Sequence, residues 1–163
     1  MRIGFGYDIH RLKEGIPLVL GGVNIPSERG CVAHSDGDVL LHALMDAMLG
    51  AAGLRDIGWH FPDSSEEFRG IDSKKLLVRV RDLISEQGFR VGNIDTTVLL
   101  EKPRIRDFIP QMQQVLASIL NILPSHIGIK AGTNEGVGDV GQGLAVAAWA
   151  VVLLEEKYTV PHG

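Results

Sequence analysis

Residues Arg2 to His10 alternate along the chain and predict a β-strand. Pro17 to Leu20 and Val23 to Ile25 flank Gly21-Gly22, which reads as two short strands joined by a hairpin turn. From Asp38 to Leu49 the apolar spacing becomes helical, with Ser35-Asp36-Gly37 ahead of it as capping material and Gly50 and Gly53 behind as terminators. Asp72 and Ser73 are set to cap a second helix over Lys74 to Gln87. Its Leu76, Leu77, Val80, Leu83 and Ile84 share one face, and Gly88 ends it. Asn93 to Leu100 is rich in β-branched residues and predicts a strand, Ile109 to Leu120 a third helix, and Ile127 to Ala131 a short strand. The apolar run Leu144 to Leu154 fits a buried strand or a buried helix by periodicity; a strand is expected. Strands and helices mix without a strict βαβ repeat, so the expected fold is α/β, an α+β layer in which a mixed sheet is packed on one side by three helices. One domain over residues 1–163 is expected, with Val160 to Gly163 a loose tail.

Composition narrows the partners. With 45% hydrophobic and 22% charged residues the chain can build a core. Its formal net charge of −4 speaks against nucleic acid and requires any anionic ligand to be met locally, by metals, a few cations or backbone N–H groups. The single cysteine, Cys31, excludes an internal disulfide framework and reads as a small buried thiol in a reducing compartment. The opening Arg2-Ile-Gly-Phe-Gly-Tyr-Asp8 lacks the apolar stretch of a signal peptide, so a protein that is cytoplasmic or already processed is expected. The longest apolar run, Leu144 to Leu154, is too short to cross a bilayer.

Within this frame a few polar residues stand out. Asp8 and His10 are two apart in a strand, so both side chains point to one face. His42 lies in a helix whose neighbours Leu40, Leu41, Ala43, Leu44 and Met45 leave almost no polar face, and a polar group there needs a partner. Asp38, His42 and Asp46 fall at i, i+4 and i+8, a stripe in which flanking carboxylates would take the second ring N–H of the histidine. One aspartate and two histidines make a three-ligand site with an open fourth position, as catalytic zinc uses; the alternative is a satisfied surface pair with a separately satisfied histidine.

The block His34-Ser35-Asp36-Gly37-Asp38 precedes a helix start that favours phosphate, or is simply an N-cap beside an incidental histidine. Asp56-Ile57-Gly58 and Phe61-Pro62-Asp63 lie in a Gly/Pro-punctuated loop and read as turns unless other groups join them. Thr133-Asn134-Glu135-Gly136-Val137-Gly138 follows a strand, and its glycines let backbone approach a phosphate. Glu135 is either a hard oxygen ligand for a magnesium-type ion or solvated. Lys102-Pro103-Arg104-Ile105-Arg106 gathers three cations near a strand end, as an anion contact or a solvated turn.

Taken in order, Gly6-Tyr7-Asp8-Ile9-His10, Gly21-Gly22-Val23, His34-Ser35-Asp36-Gly37-Asp38 with His42, Asp56-Ile57-Gly58, Phe61-Pro62-Asp63, Gly70-Ile71-Asp72-Ser73, Ile109-Pro110-Gln111-Met112 and Lys130 resemble the 2-C-methyl-D-erythritol 2,4-cyclodiphosphate synthase family over nearly the whole chain. The resemblance implies a homotrimer with sheets facing the threefold axis and active sites at the subunit interfaces. It implies a phosphorus-oxygen lyase that turns 4-diphosphocytidyl-2-C-methyl-D-erythritol 2-phosphate into the cyclic diphosphate and CMP, a step of non-mevalonate isoprenoid synthesis.

By the same resemblance zinc would lie on Asp8, His10 and His42, with Asp46 supporting from behind. Magnesium or manganese held by Glu135 would bridge the substrate diphosphate. His34 and Ser35 would hold the attacking phosphate, and Asp56, Gly58 and Asp63 the erythritol part, with Ile57, Phe61 and Ser65 also among the substrate-binding residues. Thr133 would take the α-phosphate, with Asn134 beside it. Leu100 to Arg106, Pro103, Arg104 and Ile105 among them, and Ala131 to Thr133 would form the cytidine pocket of a neighbouring subunit. The chain departs from the family's common pattern at Phe5, usually histidine, at Ser65, usually aspartate, at Gly132-Thr133-Asn134-Glu135, usually Thr-Thr-Thr-Glu, and near Asp139 and Gln142, usually phenylalanine and arginine. Two rival readings stay open from sequence: a metal-dependent nucleotide phosphohydrolase, and a non-catalytic sensor of nucleotide or isoprenoid phosphate.

Overall fold

The computed structural model describes residues 1–157; the expected loose tail, Val160 to Gly163, lies outside them. In chain order the strands are β1 (Arg2–Glu14), β2 (Leu18–Leu20), β3 (Val23–Ile25), β4 (Arg29–Cys31), β5 (Phe89–Leu99), β6 (Ile127–Gly132) and β7 (Ala145–Glu156). The α-helices are α1 (Val39–Ala52), α2 (Ile57–His60), α3 (Ser73–Glu86), α4 (Ile109–Leu120) and α5 (Gly138–Gly141). Among the described residues one sheet runs in the order β4-β1-β7-β5-β6, and β2-β3 forms a separate ribbon. Among the described strand pairs only β5 and β6 run parallel; the others are antiparallel. The expected mixed sheet with three long helices is what the chain forms.

Leu144 to Leu154 resolves as the strand β7, paired on both sides by β1 and β5. The long strand β5 starts at Phe89, earlier than the β-branched run suggests. A register shift between Val91 and Asn93 absorbs Gly92 as a bulge. The Gly21-Gly22 hairpin holds: both glycines have positive φ, 58° and 74°, as a two-residue turn between short strands demands.

Helix α1 packs on β1 and β7, with α3 beside it. Its approach to β1 depends on two glycines, because a Cβ on Gly4 would lie 1.8 Å from the Ala47 carbonyl oxygen and one on Gly6 1.9 Å from that of Ala43. Gly4, Gly6, Asp8 and His10 alternate onto the helix side of β1. Past Gly6, where side chains resume, they meet the first turns of α1. The opposite face of the sheet is left bare: Ile3, Phe5, Tyr7 and Ile9 of β1 and Val151 of β7 are exposed, and the Tyr7 and Trp149 rings meet at a 45° tilt with centroids 5.2 Å apart.

Candidate active site

Asp8 and His10 rise from β1 against His42, the fourth residue of α1. Asp8 Oδ2 lies 2.6 Å from His10 Nε2 and 3.2 Å from His42 Nδ1, and the two ring nitrogens are 3.3 Å apart. A tetrahedral zinc ion with bonds of about 2.0–2.1 Å sets its ligand atoms about 3.3 Å apart. Two of the three edges match that spacing, and the third is drawn in by the Asp8–His10 hydrogen bond. Two ring nitrogens facing each other across one carboxylate oxygen form a donor set that a divalent cation fits.

Burial pushes the Asp8 carboxyl up, but hydrogen bonds from His10 and His42 and their charges outweigh it and hold it down at about 2. Burial likewise opposes charge on His42, and the Asp8 hydrogen bond with the carboxylates of Asp8, Asp38 and Asp36 overcomes it, raising the imidazole above its ordinary value. Without a cation, the pair is therefore an ion pair.

The carboxylates expected to flank His42 do other work. Asp38 is the N-cap of α1 and accepts from Leu41 N at 3.1 Å, and from Gly21 N and Gly22 N at 3.0 and 2.7 Å. It ties the hairpin to the helix start. Burial raises its carboxyl to about 6 even though the Gly22 and Leu41 N–H groups pull it down. Asp46 accepts from Ile57 N at 2.8 Å and so fixes the start of α2. The far ring nitrogen of His42 instead meets two hydroxyls, Ser35 Oγ and Ser73 Oγ, each at 3.1 Å. Sequence reading gave Ser73 only its capping position; nothing in a spacing of 31 residues signals that contact.

A cleft of about 350 Å³ opens beside the cluster, lined by Asp8, His10, His34, Ser35 and His42 and, across it, by Ile57, Gly58, Phe61 and Asp63. His34 Nε2 lies 3.0 Å from the Ser65 carbonyl oxygen, which anchors the ring. Asp56 caps α2 by accepting from Trp59 N at 3.0 Å.

The remaining site candidates gather elsewhere. Asp8 pairs with Ala148, Ala148 with Val98 and Val98 with Ala131, so the end of β6 is level with the cluster but three strands away, about 14 Å. There Asn134 N donates to Glu101 Oε1 at 2.6 Å, Thr133 Oγ1 donates to Glu135 Oε1 at 3.0 Å, and Glu135 adopts a left-handed φ of 51°. Leu100 and Ile105 are buried, whereas Arg104, Arg106 and Ala131 are exposed and Pro103 and Gly132 half-buried. The chain therefore holds these site candidates in two groups, one around Asp8 and one at the end of β6, and does not bring them together.

Known proteins resemble the chain along most of its length. The 2-C-methyl-D-erythritol 2,4-cyclodiphosphate synthase of Synechococcus sp. (strain JA-2-3B'a(2-13)) is 54% identical over 157 residues, 96% of this chain and 100% of that relative. The bifunctional IspDF from Campylobacter jejuni matches with a TM-score of 0.91 and 41% identity over 95% of this chain, which spans 42% of that longer one. A 2C-methyl-D-erythritol-2,4-cyclodiphosphate synthase solved in a CDP-bound form matches at TM-score 0.88 and 39% identity, covering 94% of this chain and 100% of that one. The family model of the YgbB family matches residues 1–155. With the site's residues in place and the match running almost end to end, the chain belongs to the YgbB family.

Proposed function

We propose that this chain converts 4-diphosphocytidyl-2-C-methyl-D-erythritol 2-phosphate into 2-C-methyl-D-erythritol 2,4-cyclodiphosphate and CMP, in the cytoplasm, within non-mevalonate isoprenoid synthesis. The observation that carries this is the convergence of Asp8, His10 and His42 beside a polar cleft, in a chain about half identical to synthases of that product. An oxygen of the 2-phosphate forms a bond to the β-phosphorus, the bond from that phosphorus to the bridging oxygen breaks, and CMP leaves with the electron pair. The attacking phosphate is already an anion, so the chain needs no strong base; its task is to hold the substrate in line and offset phosphate repulsion.

Zinc on Asp8, His10 and His42, with magnesium or manganese at Glu135, would supply Lewis-acid stabilisation of phosphoryl charge. His34, with one ring nitrogen anchored on Ser65, and Ser35 would grip the 2-phosphate from the cleft wall. Ile57, Gly58, Phe61 and Asp63 would enclose the erythritol part, on a turn that Asp46 and Asp56 fix. Thr133 would hold the α-phosphate. Leu100, Pro103 to Arg106, Ala131, Gly132 and Asn134 would receive the cytidine.

The distance between the two groups supports completion of the Asp8 cleft by the β6 end of another copy, as in the homotrimer that the resemblance implies. The bare apolar face of Ile3, Phe5, Tyr7, Ile9 and Val151 supports the same assembly, with sheets turned towards the threefold axis. Release of CMP from the substrate by metal-loaded protein, abolished by a chelator, is the expected result; a chelator-treated protein of undiminished rate would defeat the proposal.

Acidity should act in opposite senses on the free and loaded protein. The raised His42 value means that its ion pair with Asp8 stabilises the metal-free fold fully below the unfolded value of 6.5 and is lost as pH rises through the higher folded value. Zinc must displace that same proton, so affinity climbs over the range in which metal-free stability declines. As pH rises from the unfolded value of 6.5 through the higher folded value, zinc titrations should tighten while the melting temperature of chelated protein falls. Affinity that is flat across this range would contradict the His42 assignment.

A further inference from the structure

A histidine can serve a metal through Nδ1 only if the proton of its neutral ring is on Nε2. His42 is under pressure to do the reverse, because Nδ1 faces the Asp8 carboxylate at 3.2 Å and a proton placed there would make a charge-assisted hydrogen bond. What opposes that pull lies behind the ring. Ser73 Oγ sits 3.1 Å from Nε2, and its own proton is committed, since the hydroxyl donates to Asp36 Oδ1 at 2.5 Å. A carboxylate only accepts, so the Ser73 oxygen has nothing but a lone pair to offer the imidazole. Nε2 must then be the donor.

The far end of this chain of bonds is itself held. Asp36 Oδ2 accepts from Ser73 N at 2.9 Å, Oδ1 accepts from Asp38 N at 3.2 Å, and Asp36 N donates to the Ile71 carbonyl oxygen at 3.0 Å. Ser73, the first residue of α3, has no exposed surface. Ser35 Oγ, the second hydroxyl near Nε2, accepts from Gly37 N at 3.3 Å and lines the cleft, so its proton is free for other partners.

We propose that Asp36 and Ser73 are positioning residues of the reaction, which orient the His42 ring and fix it as the Nε2–H tautomer with Nδ1 free for the cation. The inference rests on the reading of Asp8, His10 and His42 as a metal site. It is the carboxylate–histidine–metal arrangement with a serine hydroxyl interposed.

The test is zinc affinity of the full chain, by competition with a chromophoric chelator, together with the His42 tautomer in metal-free protein from two-bond 15N–1H NMR at alkaline pH. Ser73→Ala should bind zinc about 10–100-fold more weakly and move the ring proton to Nδ1, with an unchanged circular dichroism spectrum. The wild type should show Nε2–H. If Ser73→Ala does not fold, Asp36→Asn carries the test: it keeps the shape but weakens the acceptor, and should cost zinc affinity about threefold or more. Tight zinc binding by the wild type with less than about a twofold loss in the variant, or an Nδ1–H ring in the wild type, overturns the positioning role and leaves the metal site standing. A wild type that binds no zinc overturns the metal reading and this inference with it.

Discussion

His42→Ala is expected to lose zinc and almost all activity while staying folded. The side chain supplies Nδ1 to the cluster, whereas α1 is held in the core by its wholly buried apolar residues Leu40, Leu41, Leu44 and Met45. Removing one of three protein ligands leaves Asp8 and His10, 2.6 Å apart, with no third anchor on the helix. Loss of cation-based stabilisation should lower turnover by about a thousandfold or more, equivalent to ~4 kcal/mol in the barrier. Metal content by mass spectrometry, a single-turnover assay and a thermal melt read the three consequences separately. A zinc-free His42→Ala protein of wild-type activity would remove the cation from the account.

Gly6→Val tests how the site is built. Its Cβ would lie 1.9 Å from the Ala43 carbonyl oxygen and 2.8 Å from Ala47 N, both backbone atoms of α1, so no side-chain rotation relieves the contact. The helix must move off β1, and overpacking of this kind should destabilise by about 3 kcal/mol or more, a fall of ~10 °C in melting temperature. Because the same displacement separates His42 from Asp8 and His10, zinc affinity should fall with stability. Gly50→Ala on the exposed side of the same helix meets nothing within 4 Å and should stabilise by about 0.5–1 kcal/mol. Equal melting temperatures for Gly6→Val and wild type would show that α1 does not rest on the glycine row.

Asp8 and His10 were legible because a strand has period two, and His42 because a polar residue stood in an apolar helix. What spacing could not convey was where a side chain turns when it leaves the helical pattern. Asp38 looks like the stripe partner of His42, but it is an N-cap with extended backbone, so its carboxylate turns back to Leu41 N and across to the Gly21-Gly22 turn. Asp46 is in the helix and points the expected way, yet the backbone of Ile57 reaches it first. The Ser73–His42 contact joins residues that only the packing of α3 against α1 brings together.

In the fold, the long helices were found within a residue or three of their ends, because caps and glycines mark them. The short β4 and α2, of three and four residues, carry no periodicity to read. The separation of Thr133 and Glu135 from Asp8 follows from strand order, which no local pattern encodes.

Phosphorus NMR of the protein with 4-diphosphocytidyl-2-C-methyl-D-erythritol 2-phosphate, zinc and magnesium, beside a chelated control, reads the cyclisation itself. Equal amounts of CMP and a cyclic diphosphate, appearing only without chelator, are the predicted result. Inorganic phosphate in place of the ring would make the chain a hydrolase, and unchanged substrate with folded, metal-loaded protein would contradict catalysis altogether.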